Sequence, residues 1–304
     1  MERIPYEIIA ASKPFRFLVG TEKKEFFMHS ELVARISKPL RTLVEGEWKE
    51  GKEKSAEWSD VDEGTFVRFC EFAYSGDYMA AEPFDDTATP LKDQGGVRVT
   101  PFEPQLEGLD GSTRIFSIPQ PQPVFPSDPW DAAASDYAAK KKKKAYKGWD
   151  SSPPTASLTK KDVMWREFQE GVNDEPDRGL KETENTSPSK NYSEVLLSHA
   201  RLYAFADCYD IQPLLELSLR KLHRTLNVFN LHKGARVVDV AQLIDYSYKN
   251  TANKGGNQDK LRSMLATYMA CKIEDMWSNL YFQDILESPD VSKAIIGQLL
   301  KRVS

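Results

Sequence analysis

Phe26-Phe27-Met28-His29-Ser30-Glu31-Leu32-Val33 joins a β-prone run to a helical one, and both patterns extend outward from it. Upstream, Phe15 to Val19 is apolar and β-prone and Gly20-Thr21-Glu22-Lys23 is turn-like. Glu25 to His29 then returns, which predicts a hairpin. Downstream, Ser30 is placed to cap a helix that carries Leu32, Val33 and Ile36 on one face. Pro39 starts a further helical turn or two with Leu40, Leu43 and Val44, and Ser55 to Trp58 reads as a third short strand. Asp62 is an N-cap with Glu63 in the first turn. Behind it Phe66, Phe69, Cys70, Ala73 and Tyr74 fall at helical spacing, and Gly76 stops the helix.

Length and composition bound the rest. The 304 residues suit one large domain or two ordinary ones. A hydrophobic share of 40% and a charged share of 29% fit a globular chain. The formal charge of −5 argues against a general nucleic-acid binder. No apolar run approaches the roughly 18 residues of a membrane span, and the N-terminus has no apolar signal core. Three scattered cysteines, Cys70, Cys208 and Cys271, fit a reducing compartment without a disulfide framework. An intracellular protein is expected, with nucleus and cytoplasm both open.

Between Pro83 and Pro188 lie thirteen of the 18 prolines, with Gly95-Gly96, the run Lys140, Lys141, Lys142, Lys143, Lys144 and the cluster Ser151-Ser152-Pro153-Pro154. No sustained apolar period crosses that interval, so 82–191 is expected to be a mostly disordered, Pro- and Lys-rich insertion. A short ordered piece is expected around Val163 to Phe168. Beyond it, Ser193 is placed to cap a helix striped by Val195, His199, Leu202, Ala206 and Tyr209. Asp210 is placed to cap the next, with Leu215, Leu219, Leu222 and Leu226 in step. The stripes Val237–Tyr248, Leu261–Tyr268 and Val291–Leu299 predict a helical extension over 227–304.

Hairpin, helix pair, short strand, amphipathic helix and two more helices, in that order, resemble the BTB/POZ domain. Phe26 to Val33 is similar to the family's Phe-x-x-His-x-x-Leu-Leu segment. Ser37-Lys38-Pro39-Leu40 followed by Trp48-Lys49-Glu50 is similar to its Ser-x-x-Phe…Phe-x-Glu region. Asp60 to Phe66 resembles its Asp-Val-x-x-x-x-Phe segment, Tyr74-Ser75-Gly76-Asp77-Tyr78 its Tyr-Thr-Gly-x-Tyr, and His199 to Asp210 its Ala-x-x-Tyr-x-Leu-Ala-Asp-Lys-Tyr helix. The match covers 12–81 and 192–226, and the whole is similar to fungal BTB proteins with a large internal insertion. The resemblance implies an α+β fold, a small sheet capped by a helical bundle. It also implies a non-enzymatic interaction module that dimerises or recruits partners, including the cullin scaffolds of ubiquitin ligases.

Candidate residues follow. Tyr192-Ser193-Glu194 stands where cullin-binding members carry a hydrophobic-x-Glu motif, with Tyr192 as an apolar plug and Glu194 meeting a basic rim. Its bland alternative is ordinary helix capping. Tyr74 and Tyr78 are expected on the same partner surface. Lys140 to Lys144 reads either as a nuclear import signal, for a nuclear regulatory protein acting in transcription or chromatin, or as a solvated charge run. The charged pair of transcription-regulating members is replaced by Pro14 and Ser30, which argues against co-repressor binding. His29 is expected to bond local backbone and His199 to lie in the core, with no second residue at metal-ligand spacing. Gly51-Lys52-Glu53-Lys54-Ser55 lacks the first glycine of a phosphate loop. Asn185-Thr186-Ser187 matches a glycosylation acceptor by chance. No cofactor, metal or catalytic set is expected.

Overall fold

The structure, a computed structural model, describes residues 5–85, 159–171, 184–254 and 257–303. After a short helix α1 (Tyr6–Ala11), strands β1 (Pro14–Val19) and β2 (Lys24–His29) form an antiparallel hairpin. Its register sets Phe15 opposite Met28 and Phe17 opposite Phe26, so these four face one side. Strand β3 (Ser55–Trp58) lies on the other flank of β1, in parallel, giving the order β2-β1-β3. A parallel neighbour needs a crossover. The helices α2 (Ser30–Ile36), α3 (Lys38–Glu45) and α4 (Lys49–Glu53) supply it. The crossover is tight at α4, because a Cβ on Gly51 would collide with the Gly46 carbonyl oxygen. Helix α5 (Glu63–Ser75) starts where Asp62 Oδ1 accepts the Thr65 N–H at 2.9 Å. It ends where Gly76 turns left-handed at φ 79°.

Later elements are mostly helical. Strand β4 (Phe84–Asp85) pairs antiparallel with β5 (Lys190–Asn191). Helix α6 (Lys160–Glu170) forms within the stretch expected to be an insertion. A full capping box starts it: Thr159 and Asp162 bond each other's backbone. Then come α7 (Ser193–Cys208), α8 (Gln212–Val228), α9 (Val237–Asn250), α10 (Lys260–Met276), α11 (Leu280–Ile285) and α12 (Pro289–Val303). The architecture is mixed α+β with small sheets. Among the described residues no helix is long and apolar enough to cross a membrane.

One interior serves early and late elements alike. The described residues, from 5–85 through 257–303, group as one compact unit. Trp58 of β3 packs its ring edge-on to Phe205 at 5.5 Å and tilted against Tyr209 at 4.7 Å, both on or just after α7. The C-terminal helices share that interior. Tyr268 of α10 is fully buried against Phe168 of α6 at 5.7 Å. Arg262 is buried at the start of α10, where Nη2 donates to the carbonyls of Tyr248 and Thr251. It thereby satisfies acceptors at the end of α9.

Three expected caps are replaced. Ser30 is the first residue inside α2, and His29 stands at the cap position without a side-chain bond to the helix's own N–H groups. Ser193 turns its hydroxyl back to Asn191 Oδ1. The α7 start is held instead from a distance, the Tyr192 N–H donating to buried Asp239 Oδ2 at 3.0 Å. Asp210 is left-handed at φ 53° and accepts from Gln212 Nε2, so Ile211 becomes the α8 cap position. In each case a tertiary or turn geometry overrides local capping preference.

Candidate interaction surface

Phe26 and Phe27 are neighbours on a strand, so they must face opposite sides. Phe26 packs inward, 4.9 Å from the Phe66 ring. Phe27 therefore points out and is 60% exposed. His29 shares that outer face two residues on. Its Nδ1 lies 2.8 Å from the Tyr74 hydroxyl, and its backbone N–H donates to the same oxygen at 3.3 Å. Thus His29 bonds a side chain from α5, rather than only the local backbone expected of it. Tyr74 itself is 46% exposed. The result is an open strip of Phe27, His29 and Tyr74, assembled from a hairpin and a helix end. Across β1, Arg16 borders it, bonding Glu25 at 3.4 Å and Ser55 at 3.2 Å.

The other expected contact residues divide between inside and outside. Tyr78 is 2% exposed, its hydroxyl 2.7 Å from His199 Nδ1. Lys221 sits over the Tyr78 ring and donates to its carbonyl at 2.6 Å. Burial, with the Lys221 and Arg68 charges adding to it, pushes the His199 imidazole down to about 3. His199 is thus a neutral core residue that ties the α5 exit to α7. Tyr192 is also inside, 9% exposed and edge-on to Phe229 at 5.9 Å. Burial raises its phenol pKa and the Asp239 charge raises it further. A ring so placed cannot plug a partner's groove without leaving its own core.

Glu194 stays at the surface, but both of its carboxylate oxygens are taken by Arg201, at 2.7 and 3.2 Å. Burial alone would lower the Arg201 pKa, and the Glu194 bond and charge more than offset that. So the structure does not gather Tyr74, Tyr78, Tyr192 and Glu194 into one patch. Lys140 to Lys144 lie outside the described residues. Burial pushes the Cys70 thiol up to about 12 and the Cys271 thiol up to about 11, so both remain protonated. Asn185, of the glycosylation-like triplet, is buried, with its amide donating to the Asn230 carbonyl at 2.7 Å and accepting the Asn230 N–H.

Phe27 is the surface residue that sequence reasoning passed over. The signal was present, since two adjacent phenylalanines on one strand leave one ring outside. No family model, curated protein or solved structure matches the chain.

Proposed function

We propose that the chain is a non-enzymatic protein–protein interaction module of BTB/POZ type, docking through the outer face of its hairpin. The observation that carries this reading is the exposed strip of Phe27, His29 and Tyr74. Burying a Phe ring that is largely in water is worth roughly 1.5–3 kcal/mol, and aromatic anchors dominate interface energies. The hydrogen bond between His29 and Tyr74 orders the strip before a partner arrives, which lowers the entropic cost of docking. Dimerisation through the hairpin and first helices is the first form to test, since Tyr6 and Ile8 of α1 are also exposed.

Light scattering on wild type and Phe27→Asp decides it. Wild type is expected at twice the chain mass and Phe27→Asp at the single-chain mass, with an unchanged far-UV circular dichroism spectrum and a melting temperature lowered by the lost association. A wild type that is monomeric at every concentration removes the dimer form. Recruitment of a cullin scaffold, the adaptor version, rests on Glu194 alone, because substituting buried Tyr192 would disturb the fold. Glu194→Lys should abolish capture by a purified cullin; capture equal to wild type removes that version.

A further inference from the structure

Helix α6 rests on α8, α10 and α12 and does not close the seam it makes with them. Three devices hold it. The Lys272 ammonium of α10 lies 4.0 Å from the centre of the Trp165 ring. Phe168 packs against the rings of His223 and Tyr268. His223 Nε2 donates to the Phe168 carbonyl, an acceptor in the last turn of α6. Together they read any amphipathic helix with an aromatic pair three residues apart near its C-terminal end: a cation takes one ring, an apolar slot takes the other, and a donor takes the helix end.

The fit has defects. Tyr268 is fully buried and its ring meets both Trp165 and Phe168, yet among the described residues its hydroxyl bonds nothing. A buried hydroxyl without a partner costs free energy that a bonded one does not. Burial, and then the Asp275 charge, raises the Tyr268 phenol pKa and keeps it protonated. It is therefore a donor in need of an acceptor, and the same negative charge favours a neutral acceptor over a carboxylate. Clefts of about 760 and 380 Å³ run beside α6 where it meets α10 and α12. The seam forgoes the contacts that a closed one would make.

We propose that α6 is an internal stand-in for a partner helix that bears an aromatic pair three residues apart and a neutral side-chain acceptor for the Tyr268 hydroxyl. The partner's rings replace Trp165 and Phe168 beside Lys272 and His223. Its acceptor closes the bond that α6 leaves open, which is what lets a free helix compete with a tethered one. Tethering gives α6 an effective concentration on the order of millimolar, so the groove stays occupied until such a partner arrives. The inference goes beyond the hairpin strip and does not depend on it.

Hydrogen exchange and peptide binding, both on the full chain, test it. Tyr268→Phe deletes the unpaired hydroxyl and keeps the ring, so amides of 160–170 should exchange at least about fivefold more slowly than in wild type. Equal or faster exchange means that the hydroxyl costs α6 nothing and overturns the proposal. Labelled peptides of the 159–171 sequence are then titrated by fluorescence anisotropy. One is native, one carries Phe168→Ala, and two carry Lys161→Gln or Met164→Gln, which put a neutral acceptor on the docked face. At least one glutamine peptide should saturate and bind about tenfold more tightly than the native one; its gain should vanish against Tyr268→Phe, and the Phe168→Ala peptide should not bind. The same titrations on a chain carrying Phe168→Ala, whose own α6 is loosened, should all tighten. Binding to that loosened chain alone would make α6 a permanent part of the fold and overturns the proposal. So does the absence of any glutamine gain, a gain that survives Tyr268→Phe, or binding indifferent to Phe168→Ala in the peptide.

Discussion

His199 shows how one side chain links chemistry to stability. Its imidazole pKa falls from the ordinary 6.5 to about 3, because the ring is buried and faces Lys221 and Arg68. The unfolded chain therefore binds a proton between those values that the folded chain refuses. Stability contributed by neutral His199 is complete above pH 6.5 and drains away as pH falls toward 3, by roughly 4 to 5 kcal/mol at its limit. Urea unfolding of wild type from pH 7.5 down to 4 should show that loss, and His199→Gln should show a flatter profile. An equal slope in both proteins would remove His199 as the cause. That His199 belongs to the core was readable from its place on an apolar helical stripe. Its partner was not, because Tyr78 lies 121 residues earlier in the chain and no local period connects them.

At the scale of elements, helix α6 is the instructive case. Eleven residues are too few for a stable isolated helix, so α6 persists by docking. Phe168 anchors it, packing 4.6 Å from His223 and 5.7 Å from Tyr268, while Trp165 of the same helix stacks on it at 5.3 Å. His223 Nε2 also lies 2.6 Å from the Phe168 carbonyl. Phe168→Ala should remove about 3 kcal/mol of docking energy. Hydrogen exchange is the measurement: amides of 160–170 should lose protection while α7 and α8 keep theirs. Loss of protection throughout all three helices would show that α6 is not a separable unit. The hairpin, β3, α5 and the late helices were legible because each carries its own apolar period. The starts of α2, α7 and α8 were misread because Ser30, Ser193 and Asp210 are good caps locally. At α7 the decisive acceptor is Asp239, 47 residues away.

For the whole molecule, the question is where the folding unit ends. Sequence patterning assigns the resembling module to 12–81 and 192–226 and treats the rest as an extension. The structure puts α9 against α7, with Asp239 holding the Tyr192 N–H and Val237 and Val240 wholly buried. A chain stopped after residue 226 would bare that surface. It should bind a hydrophobic dye and lose its cooperative thermal transition; a sharp melt in the truncated chain would show that the late helices are dispensable. The sheet's inner face has a related history during synthesis. Trp58 ends β3, yet Phe205 and Tyr209, the rings that cover it, come about 150 residues later. At roughly 5–20 residues per second, a ribosome takes about eight to thirty seconds to deliver them. Throughout that wait the emerging chain presents an unshielded aromatic cluster, which makes the half-made protein a client for chaperones that grip sticky nascent segments.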